Sequence, residues 1–94
     1  MQNERNRYSK QNTKVLLSIG AYSVKTMVTN RNGVPDILCC LNGLFFAFEV
    51  KKPGKKPTKL QLWNIEKIIK SGGRAIAVVS VDDVKNYVEC LNVL

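Results

Sequence analysis

Two acidic residues and a lysine carry the chemistry that can be read in this chain: Asp36, Glu49 and Lys51. Asp36 opens one apolar run and Glu49 closes the next, with Asn42-Gly43 between them. Asn-Gly between two apolar runs predicts a hairpin, because both residues tolerate the positive φ of a type I′ turn. With a two-residue loop, Leu41 faces Leu44 and Asp36 falls directly opposite Glu49. Side chains opposite one another in an antiparallel pair have Cβ atoms about 5 Å apart, and like charges so placed repel. A proton or a cation between them removes the cost. Lys51 follows Glu49 by two residues, and the strand period of 2 turns it to the same face. Two carboxylates and an ammonium therefore converge at the open end of one hairpin, the donor set of a metal site with an amine beside it. Oxygen-only ligation suits Mg²⁺ or Mn²⁺ rather than zinc. A bound ion of that kind polarises a phosphoryl oxygen and acidifies its water, the needs of phosphodiester hydrolysis. A plain salt bridge from Lys51 to Glu49 or Asp36, in a basic module that cuts nothing, is the competing reading.

The elements that must position these residues follow from periodicity. Tyr8, Asn12, Val15, Leu16 and Ile19 recur at helical spacing, and Gly20 is placed to stop that helix. Residues 21–29 alternate and predict a strand, with Lys25 a lone charge that turns to water or phosphate. Pro35 belongs at a strand start, since it lacks an N–H. Residues 37–41 and 44–50 are apolar on both faces, which predicts helices on both sides of the sheet. Residues 51–59 hold five lysines, two prolines and a glycine, the composition of an exposed loop. Thr58 can cap a helix over 59–71, with Gln61 on its first turn and Leu60, Trp63, Ile65, Lys67, Ile68 and Ile69 partly buried. Gly72-Gly73 ends it. Residues 74–79 predict a short buried strand, and Asp82 or Asp83 starts a last helix with Val84, Tyr87, Val88 and Leu91 inward. The order is αβββαβ(α). The connection from the third strand through a helix to the fourth fits a right-handed parallel crossover, so the expected fold is α/β, a mixed four-stranded sheet flanked by helices.

Ninety-four residues, 45% hydrophobic and 23% charged, describe one globular domain spanning residues 1–94. Fifteen Lys and Arg against seven Asp and Glu give +8, a balance that points to a polyanion, with nucleic acid ahead of an anionic membrane. No apolar run approaches a membrane span and the N-terminus is unlike a signal peptide. Arg5 and Arg7 on the first helix, Lys25, and Lys52, Lys55, Lys56 and Lys59 of the loop are the candidate phosphate contacts, against the plain alternative of solvated charge. Three cysteines without any histidine read as reduced core thiols of a cytosolic protein.

Pro35-Asp36 with Glu49-Val50-Lys51 resembles the PD-(D/E)XK nuclease signature. Gly33-Val34-Pro35-Asp36, Gly43, Glu49-Val50-Lys51, Pro53-Gly54-Lys55, Gln61, Gly72-Gly73 and Ser80-Val81-Asp82-Asp83 together resemble a stand-alone VRR-NUC domain, over residues 16–84 or so. The resemblance implies a restriction-endonuclease-like core and divalent-metal-dependent DNA cleavage. It further implies resolution of Holliday (four-way) junctions by a homodimer in a bacterial or phage-infected cytoplasm. By the same resemblance, Asp36, Glu49 and the carbonyl of Val50 would hold the metal. Lys51 would orient or deprotonate the attacking water, and Gln61 would stand behind the ligands or touch DNA. One departure stands out: where the family commonly has a first-helix glutamate, this chain has Ser9, which leaves Glu4 as the nearest acidic substitute. A basic DNA-binding module without catalysis and a generic duplex-nicking nuclease remain the alternatives.

Overall fold

The computed structural model describes residues 4–91, with side chains from residue 11 onward. Its elements run α1 (Glu4–Ser18), β1 (Tyr22–Lys25), β2 (Ile37–Leu41), β3 (Leu44–Val50), α2 (Lys59–Lys70), β4 (Arg74–Val78) and α3 (Val81–Cys90). The four strands form one sheet in the order β1-β2-β3-β4. β1 and β2 are antiparallel, as are β2 and β3, while β4 joins β3 in parallel through α2. This is the expected αβββαβ(α) mixed sheet.

The hairpin has the register that its turn dictates. Asn42 and Gly43 take φ of 52° and 80°, and Leu41 pairs with Leu44, Cys39 with Phe46 and Ile37 with Phe48. Alternation then sorts the side chains. Ile37, Cys39, Leu41, Phe46, Phe48 and Val50 enter a large core with Leu16 of α1 and Val84 and Val88 of α3. Phe46 and Phe48 stack at 6.2 Å, and Tyr87 meets both rings edge-on. The opposite face is built on small residues: Ala47 and Ala75 meet Ile65 of α2, with Leu38 and Ile68 at the margin.

Several details differ from the sequence expectations, each for a tertiary reason. β1 ends at Lys25 rather than at residue 29, because beyond Ile37 its partner strand turns into Pro35, which has no N–H to give. Thr26 closes the ladder instead: its N–H donates to the Asp36 carbonyl at 2.8 Å and its hydroxyl to the Pro35 carbonyl at 2.9 Å. Met27 and Val28 lie outside the sheet, 81% and 94% exposed. The helix-on-both-sides expectation holds only in part. α2 packs on β3 and β4, so the same face of β1, β2 and the start of β3 stays open, with Tyr22, Val24, Cys40 and Phe45 exposed. On α2 the buried positions are Asn64 and Ile65, whereas Leu60, Trp63 and Ile69 are about half exposed. Ser80, not an aspartate, caps α3, accepting the Asp83 N–H at 3.2 Å. Leu91 is partly exposed rather than inward. No described helix is long and apolar enough to cross a membrane.

The core-thiol expectation holds for Cys39 alone. Cys40 and Cys90 are exposed, and all three thiols are free. Burial, with a smaller push from Cys40, raises the Cys39 thiol from 9.0 to about 11. A thiolate is the reacting species, so at pH 8 iodoacetamide labels Cys40 and Cys90 in the native protein and Cys39 only after denaturation, as counted by mass spectrometry.

Candidate metal-binding and catalytic site

The site begins with the start of β2. Pro35 and Asp36 are both buried, and Thr26 holds their two carbonyls. Asp36 Oδ2 accepts the Val50 N–H at 2.8 Å, tying the entry of β2 to the exit of β3. One further step of the Ile37–Phe48 register sets Asp36 opposite Glu49. Glu49 is wholly buried and shares its sheet face with Ala47, the face that α2 covers. In an antiparallel ladder the N–H and C=O of one residue point to the same neighbour. The Val50 carbonyl is therefore turned toward the Asp36 side along with its N–H, while the Lys51 N–H goes the other way, to the Val78 carbonyl at 2.8 Å.

Lys51 is half-buried, and its ammonium donates to Gln61 Oε1 at 3.0 Å. That same oxygen accepts the Thr58 N–H at 2.8 Å, and the Gln61 N–H returns to the Thr58 hydroxyl at 3.2 Å. Thr58 and Gln61 form a complete capping box at the start of α2. One glutamine thus both starts the helix and orients the lysine. The two carboxylates and the Val50 carbonyl are hard oxygen donors, of the kind that Mg²⁺ and Mn²⁺ accept. Among the described residues no group of three or more His, Cys, Asp or Glu side chains gathers at one point.

The remaining candidates distribute as follows. Lys52, Lys55, Lys56 and Lys59 are all exposed on the loop between β3 and α2, beside Lys51. Lys25 is exposed but pairs with Ile37, which gives it the sheet face opposite to that of Glu49. The side chains of Glu4, Arg5 and Arg7 lie outside the described residues. Three residues with no motif to announce them also shape the site: Thr26, Asn64 and Arg31. Buried Asn64 donates to the Asn32 carbonyl at 3.1 Å, fastening the loop before β2 across α2. Gly33 makes that crossing possible, since a Cβ there would come within 2.7 Å of Leu60 and 2.9 Å of the Asn64 amide. A polar residue at an inward helical position was the available signal for Asn64. Thr26 and Arg31 had none.

An αβββαβ core that brings a buried Asp and the Glu and Lys of an ExK tripeptide to one strand end has the layout of a restriction-endonuclease-like domain. The solved structure of a VRR_NUC domain superposes with a TM-score of 0.81 over 94% of this chain and 97% of that one, at 28% identity. A protein of Acyrthosiphon pisum secondary endosymbiont phage 1, named "Putative nuclease p44", is 38% identical over 65 residues, 68% of this chain and 70% of the phage protein. No family model matches the sequence. On these two likenesses the chain belongs to the VRR-NUC domain family.

The double use of Gln61 Oε1 makes a stability prediction. Gln61→Ala removes the acceptor of the Thr58 N–H and costs about 1 kcal/mol, a fall in Tm of roughly 4–8 °C for a chain of this size. Gln61→Glu keeps an acceptor oxygen at that place and melts within about 2 °C of the parent by the same scale. Thermal denaturation followed by circular dichroism measures both.

Proposed function

We propose that this protein is a divalent-metal-dependent endodeoxyribonuclease that cuts branched DNA, four-way junctions foremost, as a homodimer. What supports the reading is the hairpin register, which continues to Asp36 opposite Glu49 with the Gln61-tethered Lys51 two residues on, within a chain of the VRR-NUC family. The relative named as a nuclease supports it.

Asp36, Glu49 and the Val50 carbonyl would hold Mg²⁺ or Mn²⁺. When bound, such an ion neutralises a phosphoryl oxygen and acidifies its water. Asp36 spends one oxygen on the Val50 N–H, which holds its carboxylate in orientation before any ion arrives. Lys51 sets a positive charge beside the phosphate, where it stabilises the charge that develops on the oxygens as the bond breaks. Gln61 is a positioning residue: it fixes the direction of the ammonium and is itself fixed by the helix start. The exposed lysines at 52, 55, 56 and 59 would take flanking phosphates without reading base edges, so selection rests on the shape of the DNA.

One cluster cuts one strand, and paired cuts across a junction need two clusters in fixed relation, which a two-fold dimer supplies. The outward face of α2 offers apolar surface for it, with Leu62, Trp63 and Ile69 46%, 48% and 51% exposed.

Labelled duplex, flapped and four-way-junction DNA, incubated with Mg²⁺, Mn²⁺ or chelator, tests the activity. Asp36→Asn is expected to lower metal-dependent cleavage by about 10²-fold or more. Its Tm should be unchanged or higher, because an amide oxygen still accepts the Val50 N–H and the repulsion with Glu49 is relieved. Cleavage at the parental rate removes Asp36 from the ligands, and binding without metal-dependent cleavage leaves a DNA-binding module.

For the assembly, light scattering at micromolar concentration should give twice the 10.6 kDa chain mass, with and without junction DNA. A monomer that nicks linear duplex as readily as junctions is a generic nicking nuclease instead.

A further inference from the structure

The exposed half of the α2-side sheet face ends in a cleft at the turn end of the hairpin, remote from Asp36 and Glu49. The cleft encloses about 470 Å³, and its wall includes Arg31, Phe45, Asn64, Lys67, Ser71 and Gly73. That volume lies within the range of small-ligand pockets. Two cations line it and no acidic residue does. The carbonyls of Lys67, Ile68 and Ile69 near the end of α2 already accept the N–H groups of Ser71, Gly72 and Gly73. Phe45 supplies an aromatic surface that is 44% exposed. Its ring is seated on Gly73, where a Cβ would lie 3.0 Å from the ring and 2.8 Å from Ile68. Only glycine lets the ring rest there with its outer surface free.

Arg31 also lines the neighbouring cleft, which reaches Asp36 by way of Thr26 and Gly33. The two clefts therefore share Arg31, with Asp36 lining one and the Phe45 ring the other. Phe45 and Glu49 are four residues apart on β3, or roughly 13 Å at strand rise. This is about four nucleotides at duplex rise, and fewer for an extended strand.

We infer that this cleft binds an unpaired nucleotide of the DNA, its base stacked on Phe45 and its phosphate held by Arg31 and Lys67. The assignment rests on the nucleic-acid reading above and adds to it a means of distinguishing flapped or frayed branches from fully paired DNA. A base within a duplex has both faces covered by its neighbours and cannot stack on a protein ring, whereas a splayed or single-stranded base can. Duplex DNA engages the lysine loop alone. DNA with an unpaired nucleotide a few positions from the cut engages both sites.

The test is a fluorescence titration in chelator, so that nothing is cut and loss of the nuclease reading is scored separately by the Asp36→Asn assay. The probes are a blunt duplex and the same duplex carrying an unpaired 2-aminopurine flap. The parent protein is expected to bind the flapped DNA more tightly and to quench its fluorescence. Phe45→Leu should lose the quench and weaken flapped-DNA binding by about 5- to 100-fold, the worth of one base–aromatic stack, with duplex affinity unchanged. Phe45→Tyr, which keeps the ring, should retain both. Arg31→Gln with Lys67→Gln should weaken flapped-DNA binding and reduce its salt slope by about 0.7 for each cation removed. The assignment is overturned if Phe45→Leu leaves quench and affinity intact, or lowers duplex and flapped binding alike. It is also overturned if a free deoxynucleotide binds as tightly as the flap, which would make the cleft a mononucleotide site.

Discussion

The pairing of β2 with β3 through a two-residue turn is the constraint on which the site depends. Because side chains alternate, a slip of one residue would send Asp36 and Glu49 to different faces and bury the wrong half of each strand. Asn42 and Gly43 exclude the slip by adopting the left-handed conformations that a two-residue loop requires. The large core reinforces the register, since only this pairing brings Ile37, Cys39 and Leu41 together with Phe46 and Phe48. At the far end Asp36 accepts the Val50 N–H, so the residue proposed as a metal ligand also closes the ladder.

The same economy is visible on α2. Its capping box is a local device for starting a helix, worth about 1 kcal/mol in general. In this chain the box glutamine also receives the Lys51 ammonium, so helix initiation and lysine orientation share one oxygen. The loop of lysines between β3 and α2 is thereby anchored at both ends, by the Lys51 backbone on Val78 and by Thr58 on Gln61. Its interior charges remain exposed.

The two faces of the sheet are unequal. Large side chains meet α1 and α3 on one face, while on the other Ala47 and Ala75 admit α2 over β3 and β4. One helix cannot cover four strands, since helix axes sit 8–10 Å apart in packed layers and strands about 4.8 Å apart. The leftover surface holds Tyr22, Val24, Cys40 and Phe45, residues that in sequence look like core.

Local chemistry made much of this protein legible from its sequence alone. Turn residues, strand alternation and the capping threonine are decided within a few positions, and they sufficed for the element order and the hairpin register. The VRR-NUC resemblance rested on the same residues. Tertiary structure alone decided where a helix would run across the sheet, and with it the exposure of Cys40, Phe45 and Trp63. It also decided which distant residues meet. Thr26 grips Pro35 and Asp36, Asn64 fastens the 31–34 loop, and Arg31 lines two clefts at once. No periodicity announces such contacts, because each joins segments whose spacing is set by packing rather than by position in the chain.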